Sequence, residues 1–203
     1  MNVSRGLLDG MDTAGLNVAL SEATCLGLEV DAAAGQLRLD LEVLTLPENG
    51  TPTEDRRVQV TFTGVGRVAA SLRMQNWDDI DPQVLPLQLD GLDEAIRSFG
   101  GGRLHGWEFV DIDDSGWALW SELLSFDTKF DEHICAHVLE FSQEEGIDPR
   151  ELDVRVWFDN VLIHDSKGRE ISLAEFIAGG ARWWAAHDAG DPRATRPGVA
   201  PPL

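Results

Sequence analysis

The sequence predicts an α+β domain on mainly antiparallel sheet, arranged as one curved sheet or two packed sheets, with a short mid-chain helix and a C-terminal amphipathic helix. Three observations carry this expectation. Apolar and polar residues alternate in several short runs bounded by turn formers, as half-buried strands require. The runs never alternate with helices in a βαβ rhythm, so a parallel sheet is not indicated. A capped, amphipathic helical stretch closes the series near residue 188.

In chain order, residues 1–20 read as a short helix followed by a strand. Thr24, Leu26, Leu28 and Val30 then alternate, Asp31 to Gly35 form a turn, and Leu37, Leu39, Leu41 and Val43 alternate in reply, which is a hairpin. Pro47 to Glu54 are turn formers. Val58, Val60 and Phe62 continue as a strand, and Gly64 and Gly66 separate it from Val68, Ala70 and Leu72, giving either a bulged strand or two short ones. The acidic, proline-bearing stretch from Asn76 to Pro86 reads as a loop. Asp90 caps a short helix over 91–99, with Leu92, Ala95, Ile96 and Phe99 on one side, stopped by Gly100 to Gly102.

His105, Trp107 and Phe109 alternate as another strand. Trp117 to Phe126 fits a helix and a strand equally well, whereas Ile134 to Phe141, apolar on both faces, reads as a central strand. Leu152, Val154, Val156 and Phe158 alternate with Asp153, Arg155 and Asp159, and Val161 and Ile163 face Ile171 across the turn Asp165 to Gly168. Ser172 and Glu175 have the spacing of a capping box, after which Leu173, Phe176, Ile177, Gly180, Trp184 and His187 share one helical face. The expected core is Leu26, Leu28, Leu39, Leu41, Val60, Phe62, Trp107, Leu139, Val154, Val156, Phe176, Ile177 and Trp184. A chain of 203 residues suits one domain, 1–190, followed by a proline-rich flexible tail, 191–203.

Charge narrows the partners. Thirty-six acidic against sixteen basic residues give a formal charge of −20, which repels phosphate backbones and anionic lipid, so neither nucleic acid nor membrane is expected. Residues 1–10 have no basic segment followed by an apolar one, and no long uncharged apolar run occurs. A cytoplasmic chain without signal peptide or membrane span is the expectation. Two cysteines, Cys25 and Cys135, are too few for a disulfide framework and read as free buried thiols. Oligomeric state is not legible.

Several catalytic templates are missing: no Walker-type glycine loop, no nucleophile elbow, no His-Glu-x-x-His, and Gly64-Val-Gly66 is too short for dinucleotide binding. No organic cofactor is therefore expected. Trp107, Trp117, Trp120 and Trp157 have the makings of a ligand platform, but tryptophans are more commonly core.

Two stretches carry metal-ligand chemistry. Asp111, Asp113, Ser115, Gly116 and Glu122 match the spacing of an EF-hand calcium loop, oxygen donors with a glycine for the sharp turn, although Gly100 to Gly102 leave no room for an entering helix. Asp131, His133, Cys135 and His137 fall at every second residue. On a strand they share one face, and their donors suit zinc, although strand neighbours two apart are roughly 6.5–7 Å from each other, too far for all four to meet one ion.

The third feature is charge density. Between Glu108 and Asp153, fourteen acids stand against Lys129 and Arg150, a balance of −12. From this the expected function is an acidic, non-catalytic interaction module that masks a basic protein partner, with a metal-binding protein or metal-dependent enzyme as the alternative. The expected contact face is Asp111, Asp113, Asp114, Asp127, Asp131, Glu132, Glu144 and Glu145, with Trp117 or Trp120 as an aromatic anchor.

Overall fold

The computed structural model describes residues 12–49, 55–99, 102–110, 117–144 and 150–195. In chain order the elements are α1 (Thr13–Leu20), β1 (Thr24–Asp31), β2 (Gln36–Glu42), β3 (Arg57–Thr63), β4 (Arg67–Met74), β5 (Gln83–Val84), α2 (Leu92–Arg97) and β6 (His105–Val110). These are followed by α3 (Trp117–Trp120), β7 (Phe126–Lys129), β8 (His137–Glu144), β9 (Arg150–Phe158), β10 (Asn160–Asp165), β11 (Glu170–Ile171) and α4 (Leu173–Asp188). Every strand pair is antiparallel, and the fold is α+β as expected.

The strands form two packed sheets rather than one curved one. The first runs β1-β2-β3-β10-β11 and the second β5-β4-β9-β8-β6, with β7 also paired to β4. Two strand pairs cross between them. β3 pairs with β10 up to Thr63↔Asn160, and β4 pairs with β9 from Arg67↔Trp157, so a two-stranded ribbon bends out of one sheet into the other at residues 63–67 and 157–160. The bend keeps its ladder: the Gly66 amide donates to the Trp157 carbonyl at 3.1 Å and the Asp159 amide to the Thr63 carbonyl at 3.0 Å. The glycines expected to divide a strand mark this bend.

The core lies between the sheets, where Leu37, Leu39, Val60 and Phe62 meet Val68, Ala70, Leu139, Val154, Val156 and Phe158. Twelve of the thirteen expected core residues belong to it, to its half-buried margin, or to the helical cluster described below; Leu26 is the departure. Leu26 is 40% exposed and Leu28 is half-buried. The cause is a bulge between Cys25 and Gly27, which turns Cys25 into the core and Leu26 outward. On the outer face of β9 Asp153 and Arg155 are buried as well, while the Glu151 side chain is 43% exposed. Arg73 bonds Asp153 and Glu151 at 2.7 Å each, and Arg155 pairs with Glu140, so a ladder of ion pairs covers that face.

Residues 117–123 resolve as helix α3 followed by a 3-10 turn, and β7 begins at Phe126. The strand expected from Ile134 begins instead at His137, and residues 131–136 are loop. β8 does lie in the sheet interior, between β9 and β6. In the expected tail, Pro192–Ala194 form a 3-10 turn that buries Ala194 against a small cluster of Leu44, Leu46, Trp183 and Trp184. No helix among the described residues is long and apolar enough to cross a membrane.

Helix α4 is capped as expected, Ser172 Oγ accepting the Glu175 amide at 3.2 Å. Its glycines answer to packing. A Cβ on Gly180 would fall 2.5 Å from the Ala19 Cα of α1, whereas one on Gly179 would meet Thr45 Cβ at 3.3 Å. Alanine gains about 1 kcal/mol of helix propensity at either site. At Gly180 that gain is outweighed by overpacking worth about 1–3 kcal/mol against backbone that has nowhere to move. Urea denaturation is expected to show Gly180→Ala destabilised and Gly179→Ala close to neutral; equal shifts would remove the packing explanation.

Candidate metal centre

The bend that joins the sheets also gathers a histidine, a cysteine and an aspartate. β7 ends at Lys129, and the loop that follows is pinned to the bend by the Phe130 amide donating to the Gly66 carbonyl at 2.8 Å. Within it Asp131 makes a tight side-chain turn: its Oδ1 accepts the His133 amide at 3.0 Å and also contacts His133 Nδ1. The imidazole is thereby oriented. Its Nε2 points at Cys135 Sγ, 3.4 Å away, and at Asp159 Oδ2, 3.2 Å away.

Asp159 comes from the other side of the bend. Its Oδ1 is occupied by the Ala136 amide at 2.9 Å, which leaves Oδ2 facing the histidine. His133, Cys135 and Asp159 place one donor atom each within 4.8 Å of one another. Bend glycines make the room. A Cβ at Gly66 would lie 2.9 Å from Cys135 Sγ, and one at Gly64 would lie 2.4 Å from Asp159 Oδ2. A recess of about 210 Å³ adjoins the cluster, lined by Arg67, Lys129, Glu132, Ile134 and Trp157 together with His133 and Cys135. That volume holds water and a small group but falls below the range of about 300–1,000 Å³ typical of organic-ligand pockets.

Electrostatics discriminate between two chemistries. A cysteine beside a histidine is the arrangement of a thiolate nucleophile, which needs electropositive surroundings. Here burial, and then the negative Asp159 and Asp131, push the Cys135 thiol up. His133 is likewise raised, chiefly by the Asp131 carboxylate on its ring, and Asp131 is lowered by the His133 amide and ring. A cation held here would meet an imidazole, a thiol and a carboxylate, and would displace the protons of the first two on binding. Cys25 is a different case, a free thiol pushed up to about 12 by burial alone in the main.

Of the expected ligands, His133 and Cys135 come together and Asp131 supports them from behind. His137 is elsewhere. As the first residue of β8 it is buried with its ring 5.5 Å from that of Phe158, and Asp159 takes the place expected for it. Asp159 had no local signal, being distant in sequence; the closely spaced glycines at 64 and 66 were the available hint. Asp111, Asp113 and Ser115 of the calcium pattern lie outside the described residues. The segment leading into it is strand β6, and Glu122 is exposed on the 3-10 turn Ser121–Leu123.

The acidic face divides similarly. Asp111, Asp113, Asp114 and Glu145 lie outside the described residues. Asp127 is held by Arg67 through two bonds of 2.7 and 2.5 Å, Asp131 by His133, and Glu132 and Glu144 are exposed. Trp117 and Trp120 are half-buried and stacked on cations. Arg67 lies 4.4 Å from the Trp117 ring and 4.5 Å from that of Trp157, and Arg155 lies 4.6 Å from Trp120. No family model, curated protein or solved structure matches this chain, so its chemistry is read from its own donors.

Proposed function

We propose that the protein binds a divalent metal at the sheet bend, with His133 Nε2, Cys135 Sγ and Asp159 Oδ2 as ligands and zinc as the ion. The observation that carries this is spacing. Zinc bonds of about 2.0–2.3 Å in a tetrahedron separate donors by roughly 3.3–3.8 Å; His133 Nε2 lies 3.4 and 3.2 Å from the other two donors, and all three lie within 4.8 Å of one another. Mixed nitrogen, sulfur and oxygen donors also suit zinc better than calcium or magnesium, which take oxygens. Asp131 has the place of an outer carboxylate that fixes a ligating histidine through its second nitrogen.

Three protein ligands leave the fourth position to water facing the recess, the pattern of sites that activate water for hydrolysis. The fold does not depend on the ion, because the inter-sheet core is continuous without it.

Metal analysis tests the proposal. After zinc loading and dialysis the wild type is expected to retain about one ion per chain. His133→Ala, Cys135→Ser and Asp159→Asn lose it, Asp131→Asn weakens affinity by about 10–100-fold, and Cys25→Ala retains it. Chelation lowers the melting temperature by about 5–15 °C, if loading exceeds the dissociation constant a hundredfold or more, with the far-ultraviolet circular dichroism unchanged at 25 °C. A wild type that retains no zinc, or a Cys25→Ala variant that loses it as completely as Cys135→Ser, overturns the assignment.

A further inference from the structure

The loop between β4 and β5 carries two large apolar side chains in open solvent: Trp77 is 97% exposed and Ile80 93%. The loop is nevertheless built. The Asp79 amide donates to the Asn76 carbonyl at 3.0 Å, and Asp79 Oδ2 accepts both the Asn76 amide and its side-chain amide at 2.8 and 2.9 Å. This closed turn holds the indole and the isoleucine on its outside. An indole alone offers about 150–250 Å² of surface for burial. Around it Asp78 and Asp81 make no ion pair among the described residues, and the stretch 75–82 contains no cation. The loop is an apolar tip with a negative collar.

Its complement is on the same chain. Between the start of β3, the β10–β11 turn and the first turns of α4 lies a cleft of about 560 Å³, within the size range of ligand pockets. Leu46, Val58, Ile171 and Phe176 contribute its apolar lining. Arg56, Arg57, Lys167 and Arg169 line it as well, four of the sixteen basic residues of a strongly acidic chain. Arg57 is held by Asp55 and Arg169 by Asp165, but Arg56 and Lys167 make no ion pair among the described residues. The cleft has an apolar interior and uncompensated positive charge at its rim.

We infer that the Trp77–Ile80 tip of one molecule docks into this cleft on a second copy, Trp77 filling the apolar interior while Asp78 and Asp81 meet Lys167 and Arg56. Insertion into the same molecule's cleft is excluded by the exposure of Trp77 itself. Tip and cleft are different surfaces, so two copies close a two-fold dimer where each tip reaches the other's cleft, and the contact propagates head to tail where it does not. Its small footprint makes it a weak, concentration-dependent association. It is independent of the metal at the bend.

Sedimentation equilibrium and light scattering over a concentration series test it with variants at exposed or half-buried positions, so folding is not in question. The average mass of the wild type is expected to rise with concentration and to fall as salt is added. Trp77→Ala, and separately the pair Arg56→Glu with Lys167→Glu, weaken association at least about tenfold. The decisive sample is an equimolar mixture of those two variants. One has an intact cleft and the other an intact tip, so together they form a one-to-one dimer and nothing larger. A wild type that stays monomeric throughout, variants that associate as well as wild type, a mixture that remains monomeric, or association abolished by chelator each overturns the inference.

Discussion

Replacing Phe158 by alanine is expected to lower stability by about 3–5 kcal/mol, seen as a shift of the urea midpoint at nearly constant slope. Phe158 is fully buried at the end of β9, immediately before the bend. Its ring meets that of Phe62 from the opposite sheet edge-on at 4.8 Å and that of Phe109 at 6.3 Å. Truncation therefore opens a cavity between the sheets at the point where the crossing ribbon holds them together. The backbone there cannot collapse inward, because the Asp159 and Gly66 amides fix the ribbon on both sides. Leu26→Ala is the comparison. Its side chain is 40% exposed, and its loss is expected to cost far less, about 1 kcal/mol or under. Similar costs for the two would mean that the sheets do not share one core.

Those two residues also mark where the sequence was legible and where it was not. Phe158 and its alternating neighbours were placed correctly because a strand of period two with a buried face leaves that period in the residues. Leu26 sat in an equally good run, but a bulge reverses the face of everything on one side of it, and only Gly27 within the strand hinted at one. The helix from Ser172 was readable because capping is a local interaction, and the Ser172–Glu175 bond is where the capping-box spacing puts it.

The proposed metal site was half legible for a related reason. His133 and Cys135 stood out as ligand types, and the strand reading put His137 on the same face as a further candidate. A tight turn around Asp131 breaks that strand, and His137 begins β8 with its ring against Phe158. Asp159 joins the cluster only because the ribbon bends there, a tertiary event with no local periodicity to announce it. Charge density was legible only as a count. The acids were counted correctly, but which of them already had partners, as Asp127 has Arg67, depends on the fold.

Gly64→Ala is expected to damage the fold and the site together, and Gly168→Ala separates the two causes. Both glycines have positive φ, +63° at Gly64 and +77° at Gly168, so alanine at either pays the left-handed backbone penalty of about 1–2 kcal/mol. They differ in what a Cβ would meet. At Gly168 nothing lies within 4 Å, whereas at Gly64 the added carbon would sit 2.4 Å from Asp159 Oδ2 and 2.9 Å from the Cβ and Cγ of the same residue. Asp159 has little freedom to withdraw, since the Ala136 amide holds its other oxygen at 2.9 Å and its own backbone is in the ribbon ladder. Overpacking of this kind adds about 1–3 kcal/mol, so Gly64→Ala is expected to cost about 2–5 kcal/mol in total. The displaced oxygen is the one assigned to the metal, so zinc affinity should fall in the same variant and stay at the wild-type level in Gly168→Ala. Urea denaturation of the metal-free proteins and a competitive zinc titration measure the two effects independently. If Gly64→Ala matches Gly168→Ala in both, the bend is not holding Asp159 in place. If it loses stability but binds zinc normally, Asp159 is not a ligand.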